Sequence, residues 1–367
     1  MSDAQREIQT VSDELVASGA EIGLQVAVIK NGRMVVNAVS GVADPRTVAA
    51  VTGNTLFYAA SAAKGVASSL AHVLVERGEL DYEMRAVDVW PEFGSHGKDK
   101  VTLRHVLLHT AGVPGLPSDT TIEDLCDWDH MCAVLADAEP WWEPGTRFGY
   151  HAKTFGFLLG EIMRRATGKT VSTLLRDVVT GPLGIEDEVH FGVPQPLVPR
   201  VAKQAASNGS APSVPQPGSP LDRAIPRGIV PDADYANRFD VLTSDIPSEG
   251  TMTARGVARM YSALLGHVEG VALVSSRRLA TMAAVAFTGM DEVMGFPTAW
   301  AFGYSPDRPG GVPSGRGSTF GMVGMNGSAA YADIDSGVAV AVMRNRFAAG
   351  DFATVGRIDR IVAATLS

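Results

Sequence analysis

A serine and a lysine stand three residues apart in the segment FYAASAAKGV, at Ser61 and Lys64. On a helix this spacing places both side chains on one face, so that the amine can reach the hydroxyl. A neutral lysine beside a serine can take the hydroxyl proton and so generate a nucleophile for acyl transfer. The same spacing occurs at Ser95 and Lys98. A motif of two common residue types is too short to distinguish the two pairs, and only their surroundings can do so.

The surroundings favour the first pair. Ser61 follows the apolar stretch TLFYAA and precedes AAKGVASSLAHVLVERGEL, in which apolar residues recur at helical spacing. We therefore expect Ser61 at a helix N-terminus, where free N–H groups and the positive end of the helix dipole favour a developing negative charge. Burial and that dipole both disfavour an ammonium, so Lys64 is expected to act as a neutral amine. Ser95 lies instead in a glycine-rich, charged loop, where nothing is expected to desolvate Lys98.

Two further segments carry groups that suit the same chemistry. Tyr150 follows a Pro-Gly turn and two tryptophans and stands before a helical pattern in WWEPGTRFGYHAKTFGFLLGEI. Its phenol is either an ordinary interfacial group or a partner that shares a proton with Ser61 and Lys64. Near the C-terminus, glycines interrupt the strand pattern STFGMVGMNGSAAYAD and let a substrate carbonyl approach the main chain. A main-chain N–H of that segment is expected to complete an oxyanion hole with the N–H of Ser61.

Composition excludes several classes of function. The chain has 367 residues, 46% of them apolar, and a net charge of −9 without a basic stripe. A nucleic-acid surface and a polybasic membrane surface are therefore not expected. The first twenty residues mix acidic and basic side chains and lack the apolar segment of a secretory signal. With two cysteines, Cys126 and Cys132, expected to be reduced, the sequence predicts a cytoplasmic protein.

No metal and no organic cofactor are expected. His105 and His109 stand four residues apart, as zinc ligands on a helix do, but Val106 occupies the place of the glutamate that such motifs require. A cluster of Cys126, His130 and Cys132 matches no common ligand spacing. The G-x-S-x-G sequence of an α/β-hydrolase is absent.

The elements that must position these residues follow from periodicity. Two β-branched runs flank Asn31-Gly32, which is a strong hairpin signal, and a second hairpin is expected with its turn near 335–337. Strands at both ends and helical patterns between them predict an α/β fold in which both termini build one antiparallel sheet flanked by helices. The predicted domains are an α/β domain of residues 1–80 and 245–367 and a mainly helical domain of residues 81–244. Residues 193–233, rich in proline, glycine and serine, are either a flexible linker or a lid over the site.

Several of these segments stand in the order found in serine β-lactamase-like proteins: Ser-x-x-Lys after FYAA, then VTLRHVLLHTAG, EPGTRFGYH, TARGVARMY and the final glycine-rich strand. From about residue 20 to residue 347 the chain resembles the class C β-lactamase-related esterases (family VIII carboxylesterases) and their acyltransferase relatives. The resemblance implies a β-lactamase/transpeptidase-like fold with the active site in the cleft between the two domains. It also implies Ser61 as the nucleophile, Lys64 as its base partner and Tyr150 as the second acid/base.

The chain departs from the family pattern in two places. The Tyr-x-Asn motif of the family reads Tyr150-His151-Ala152, so the amide that contacts an amide side chain of the substrate is missing. Penicillin-recognising members have Lys-Thr-Gly, and many esterases His-x-Gly, where this chain has Met322-Val323-Gly324, so an anchor for a substrate carboxylate is lost. We expect an apolar, adaptable substrate wall. Its expected members are Ala152, Phe320, Met322, Gly324 and Met325.

The sequence therefore predicts a serine hydrolase of carboxylic esters or thioesters with a neutral acyl group, acting through an acyl-Ser61 intermediate. Transfer of the acyl group to an amine or alcohol in small-molecule biosynthesis is the alternative, because it shares the first half-reaction. A non-catalytic binding protein of the same fold is the third interpretation, and the joint presence of Ser61, Lys64 and Tyr150 argues against it. The expected partners are a small ester and, for the alternative, a small acyl acceptor. The oligomeric state is left open.

Overall fold

The computed structural model describes residues 2–206, 214–306 and 317–366. The strands are β1 (Gly23–Lys30), β2 (Arg33–Asp44), β3 (Ala49–Ala50), β4 (Phe57–Tyr58), β5 (Val189–His190), β6 (Ala205–Ala206), β7 (Thr251–Met252), β8 (Phe287–Met290), β9 (Pro297–Trp300), β10 (Thr319–Val323), β11 (Ala329–Asp333), β12 (Val338–Arg344) and β13 (Arg346–Phe347). The α-helices are α1 (Asp3–Ala17), α2 (Ala62–Glu76), α3 (Leu103–Leu107), α4 (Ile122–Cys126), α5 (Trp128–Asp137), α6 (Thr154–Thr167), α7 (Val171–Leu175), α8 (Gly181–Leu183), α9 (Pro220–Ala224), α10 (Ala233–Asn237), α11 (Phe239–Thr243), α12 (Ala254–Leu264), α13 (Ser276–Ala283) and α14 (Ala353–Leu366).

Both ends of the chain build the main sheet, in the strand order β10-β11-β12-β1-β2-β3. All of its neighbouring strands are antiparallel, and β1 pairs with β12 from Leu24 opposite Arg344 to Lys30 opposite Val338. The predicted sheet of both termini, flanked by helices, is therefore confirmed. The described residues between 81 and 244 contribute helices α3 to α11 and none of the strands of this sheet. The exact domain boundaries remain a prediction.

The turn between β1 and β2 confirms the hairpin expected at Asn31-Gly32. Both residues have positive φ, 49° and 78°. That is the backbone of a type I′ turn, whose twist matches the twist of the two strands it connects. The second expected hairpin is also present, because β11 ends at Asp333 and β12 begins at Val338.

The two faces of the sheet bury different layers of helices. On one face, Val26, Val28 and Val340 share a core with Ile8 of α1 and Ile358 of α14. The opposite face carries smaller side chains, many of them alanines, and packs against α2 and α12. Helix α2 also contacts α6 and is buried at every position from Ala62 to Val75. It therefore forms a rigid, central support for the residue at its N-terminus, Ser61.

Among the described residues, no helix combines the length and the apolar character needed to cross a membrane.

Candidate active site

Ser61 stands at the end of a short strand and directly before the buried helix α2. Strand β4 pairs with β7, and the N–H of Ala59 donates to the carbonyl of Gly250 at 2.8 Å. The next residue, Ala60, has a φ of 47° and is buried. A left-handed backbone at a residue with a Cβ atom is uncommon, and it persists where the surrounding structure fixes it, often at functional sites. This turn brings Ser61 to the N-terminus of α2.

Lys64 lies one helical turn further along the same face of α2. Its Nζ is 2.9 Å from Ser61 Oγ and 3.3 Å from the carbonyl oxygen of Ser248. Only 1% of the residue is exposed, and burial lowers the pKa of Lys64 to about 7. In a substantial fraction of the molecules, Lys64 is therefore a neutral amine near pH 7 and can accept a proton from Ser61.

The second serine–lysine pair has a different environment. The expectation that nothing desolvates Lys98 is wrong, because the loop packs against α5 and buries this side chain completely. Its Nζ donates to the carbonyl of Ser95 in the same loop, and to those of Ala136 and Ala138 at the C-terminal end of α5. Ser95 Oγ itself donates to the carbonyl of Ala136. The pair therefore satisfies helix-terminal carbonyls, which is a structural role.

Tyr150 completes the group around Ser61. Its ring centroid lies 5.2 Å from Lys64 Nζ. Burial raises the pKa of Tyr150, and a hydrogen bond with Ser61 opposes that rise without cancelling it. The phenol is thus protonated at neutral pH and can donate a proton to an oxygen at the position of Ser61.

Three residues that the sequence did not connect with Tyr150 hold it in place. The ring of His109 lies 4.9 Å from the tyrosine ring and that of Trp300 lies 6.0 Å away, between centroids. The main-chain N–H of Tyr150 donates to Asp291 Oδ1 at 3.1 Å. His109, considered above as a metal ligand, accepts the N–H of His151 at 3.0 Å. Its burial lowers its pKa well below the usual value, so the imidazole is neutral.

The end of β10 approaches the main chain beside Ser61. A Cβ atom on Gly324 would lie 2.2 Å from the carbonyl oxygen of Ala59. Asn326 Nδ2 donates to the carbonyl of Tyr58 at 2.8 Å and so ties the two segments together. Within the described ranges, the main-chain N–H groups of Ser61 and Met325 have no hydrogen-bond acceptor. Two free donors on adjoining segments are what an oxyanion hole requires.

A cavity of about 250 Å³ opens over Ser61 and Tyr150. Ala152 and Met325, both predicted for the substrate wall, line it. The remaining apolar lining comes from four segments of the chain, as Tyr58, Ala60, Pro215, Leu221, Ile225, Val230, Pro231, Met294 and Ala349. Part of the segment 193–233 thus covers the site, although its residues 207–213 lie outside the described ranges.

Three residues of the expected wall lie outside the cavity lining. Phe320 and Met322 are 0% and 2% exposed and belong to the core between the sheet and α2. Because side chains alternate along a strand, both point to the same face of β10, where a Cβ atom on Gly65 would lie 3.3 Å from Met322. Gly324 contributes its close main-chain approach instead of a side chain. The prediction that Phe320 and Met322 contact substrate is therefore corrected.

The cavity also contains an ion pair that the sequence analysis missed. Lys153 and Glu249 form a salt bridge, and their side chains are 4% and 8% exposed. Tyr58 donates to Glu249 Oε2 at 2.7 Å, and Tyr235 donates to Oε1 at 2.9 Å. The available signals were a lysine at the start of the apolar segment after Tyr150 and a single carboxylate in the motif PSEG.

No group of three or more His, Cys, Asp or Glu side chains within the described ranges is arranged to hold a metal ion. Cys126 and Cys132 do not form a disulfide. The expectation of an enzyme without metal or cofactor stays a prediction.

Replacing Gly324 by alanine is expected to lower kcat for an ester substrate roughly 100-fold, because a displacement of about 1 Å at a reacting group costs about that factor. The new methyl group would collide with the carbonyl of Ala59, which cannot move without shifting Ser61. Gly53→Ala is the matched control, since its nearest neighbour is the flexible end of Arg255 at 3.4 Å. Equal activity of the two variants would show that β10 does not fix the position of Ser61.

Comparison with known proteins places this geometry in a family. The family model described as Beta-lactamase matches residues 8–364. The chain is 32% identical over 340 residues to the esterase/beta-lactamase LipL of Mycobacterium tuberculosis (strain ATCC 25618 / H37Rv), covering 88% of this chain and 77% of LipL. A crystal structure of a family VIII carboxylesterase has a TM-score of 0.87 at 29% identity and covers 99% of this chain and 97% of that chain.

A penicillin-binding protein homolog from Caulobacter crescentus is similar over the whole length. It has a TM-score of 0.89 at 31% identity, with coverage of 100% of this chain and 98% of that chain. These similarities confirm the β-lactamase/transpeptidase-like fold expected from the order of the motifs. The chain belongs to the β-lactamase family.

Proposed function

We propose that this protein is a serine esterase that hydrolyses carboxylic esters or thioesters with a neutral acyl group through an acyl-Ser61 intermediate. The observation that carries the proposal is the buried Lys64 amine 2.9 Å from Ser61 Oγ, with a pKa of about 7. The names of the similar proteins, an esterase/beta-lactamase and a family VIII carboxylesterase, support the same class of reaction.

In the first half-reaction, neutral Lys64 accepts the proton of Ser61 while Oγ attacks the substrate carbonyl. The negative charge that develops on the carbonyl oxygen is stabilised by the main-chain N–H groups of Ser61 and Met325. When the ester bond breaks, the leaving alkoxide takes a proton from Tyr150 or from the Lys64 ammonium, and the acyl group stays on Ser61. In the second half-reaction the same groups deprotonate a water molecule, which releases the acid and restores Ser61.

Charge in the cavity favours an uncharged acyl group. The lining is mostly apolar, and the positive charge of Lys153 is neutralised by Glu249. A substrate carboxylate would lose its hydration and would find the positive charge of Lys153 already paired with Glu249. The structural reason for neutral substrates therefore differs from the predicted one, because it rests on this pair and not on Met322.

We expect negligible turnover of nitrocefin and measurable turnover of p-nitrophenyl butyrate by the same enzyme preparation. A charge-assisted hydrogen bond to the β-lactam carboxylate, worth about 1.5–3 kcal/mol, is absent, which lowers the specificity constant by roughly one to two decades. Ala152, in place of an asparagine, removes a second contact. The measurement compares kcat/KM for both substrates, with Ser61→Ala as the blank. A higher kcat/KM for nitrocefin would contradict the proposed substrate class.

Transfer of the acyl group to an amine or alcohol is the second candidate. Leu221, Ile225 and Val230 cover the cavity with apolar side chains, and exclusion of water favours a bound acceptor over hydrolysis. The ratio of butyryl amide to butyrate formed from p-nitrophenyl butyrate in the presence of a primary amine separates the two reactions. The amide will predominate at low amine concentration if the protein is a transferase, and butyrate if it is an esterase.

A further inference from the structure

The salt bridge between Lys153 and Glu249 has no part in the reaction steps described above, although both side chains line the catalytic cavity. Stability alone does not explain it. Removing two charges from water is costly, and a well-packed apolar pair often stabilises a protein equally well. Its position beside the catalytic lysine therefore calls for a functional explanation.

The pair is held firmly and is connected to Lys64 through the main chain. Glu249 accepts hydrogen bonds from Tyr58 and Tyr235, and Lys153 Nζ also lies 3.1 Å from the Tyr235 hydroxyl. Ser248, the residue before Glu249, lies between the two lysines, with its carbonyl 3.3 Å from Lys64 Nζ and its hydroxyl 3.3 Å from the carbonyl of Lys153.

The polar groups that face Lys64 come from four parts of the chain. Ser61 stands at the N-terminus of α2, the helix that carries Lys64, and His109 follows α3. Tyr150 and Lys153 precede α6, and Glu249 precedes β7. His109 and Tyr150 are both neutral near pH 7, since burial lowers the pKa of the first and raises that of the second. Within the described ranges, the formal charges acting on Lys64 are therefore those of Glu249 and Lys153.

Glu249 keeps its negative charge in the buried pair. Burial alone would raise the pKa of Glu249, but the positive charge of Lys153 and the hydrogen bonds from Lys153, Tyr58 and Tyr235 hold it below its usual value. The two charges act on Lys64 in opposite directions, because Glu249 favours the ammonium and Lys153 disfavours it.

We infer that the Lys153–Glu249 ion pair is a positioning element that balances the charge around Lys64 and so sets the pH range in which Ser61 is acylated. The inference rests on the proposed role of Lys64 as the base of an esterase. Neither residue touches the reacting atoms, and both act through Lys64. The pair has the further consequence that any substrate group bound beside it meets no net charge.

The test is the pH dependence of kcat/KM for p-nitrophenyl butyrate, whose ascending limb reports the pKa of the essential base in the free enzyme. The wild-type limb is expected near pH 7, the pKa of Lys64. Glu249→Gln removes the negative charge that favours the ammonium, so its limb moves to lower pH. Lys153→Met removes the positive charge, so its limb moves to higher pH. Each displacement is expected to be on the order of one pH unit, as for a neighbouring charge at a buried site.

Three further variants control for a merely structural role. Tyr235→Phe removes a hydroxyl from the same cluster without changing charge and should leave the limb in place. Lys153→Arg keeps the charge and should also leave it in place. The double variant Lys153→Met with Glu249→Gln removes both charges, and its limb should lie between those of the single variants. A structural defect would lower the plateau of kcat/KM in the variants. It would not move the ascending limbs of Glu249→Gln and Lys153→Met in opposite directions.

Displacements of Glu249→Gln and Lys153→Met in opposite directions support the inference, and displacement in one direction or none overturns it. Glu249→Gln keeps the shape and most hydrogen bonds of the cluster. If Lys153→Met does not fold, Glu249→Gln alone decides, and the absence of a shift to lower pH overturns the inference. Adding Ser61→Ala to each background separates the two claims, because activity that survives this change contradicts the proposed function whatever the limb does.

Discussion

Replacing Ser61 by alanine is expected to abolish hydrolysis of p-nitrophenyl butyrate, with kcat falling by roughly four or more orders of magnitude, as loss of a catalytic nucleophile does. The alanine leaves Lys64 and Tyr150 in place but removes the oxygen that the acyl group must occupy. Steady-state kinetics on purified protein, with thermal unfolding to verify the fold, measures the effect.

Ser95→Ala is the matched control, because the same substitution is made in a pair with the same spacing. Its hydroxyl donates to the carbonyl of Ala136, to which Lys98 also donates, so the change affects local stability and not turnover. Comparable losses in both variants would overturn the assignment of Ser61.

Lys64→Ala and Tyr150→Phe are each expected to lower kcat by roughly two or more orders of magnitude, the usual contribution of general acid–base catalysis. The loss in the double variant should be much smaller than the product of the single losses, because the Lys64 amine and the Tyr150 phenol act on the same Ser61 proton. Tyr82 is a buried tyrosine that forms a hydrogen bond with His72 and lies outside the cavity lining. The variant Tyr82→Phe therefore controls for loss of a buried hydroxyl. Losses that simply multiply would show that the two residues act independently.

Local signals explain the parts of the fold and site that the sequence predicted correctly. The Asn31-Gly32 turn, the C-terminal hairpin and the helix after Ser61 each depend on residues close together in the chain. The proximity of Ser61 and Lys64 follows from one helical turn. Tyr150 lies about ninety residues after Ser61 in the chain, and its proximity to Ser61 and Lys64 is predicted by the order of the family motifs and not by spacing.

Features that depend on long-range packing were missed or mistaken. Lys153 and Glu249 are 96 residues apart, and no periodicity reports that they meet in a cavity. The position of Met322-Val323-Gly324 in the family motif predicts Phe320 and Met322 in the substrate wall, whereas the face of β10 that meets α2 depends on how the sheet packs. Lys98 is buried by the end of α5, a contact that its glycine-rich loop sequence does not indicate.

Detection of the acyl-enzyme is the most direct test of the proposed acyl-Ser61 mechanism. The protein is mixed with p-nitrophenyl butyrate, quenched with acid before the first turnover is complete, digested with trypsin and examined by peptide mass spectrometry. Cleavage after Arg46 and Lys64 places Ser61 in the peptide 47–64, and cleavage after Arg85 and Lys98 places Ser95 in the peptide 86–98. The proposed mechanism predicts one added butyryl group on Ser61 of the first peptide, absent from Ser61→Ala and from the second peptide. A butyryl group on another residue, or rapid turnover with no acylated peptide under any quench time, would contradict an acyl-Ser61 mechanism.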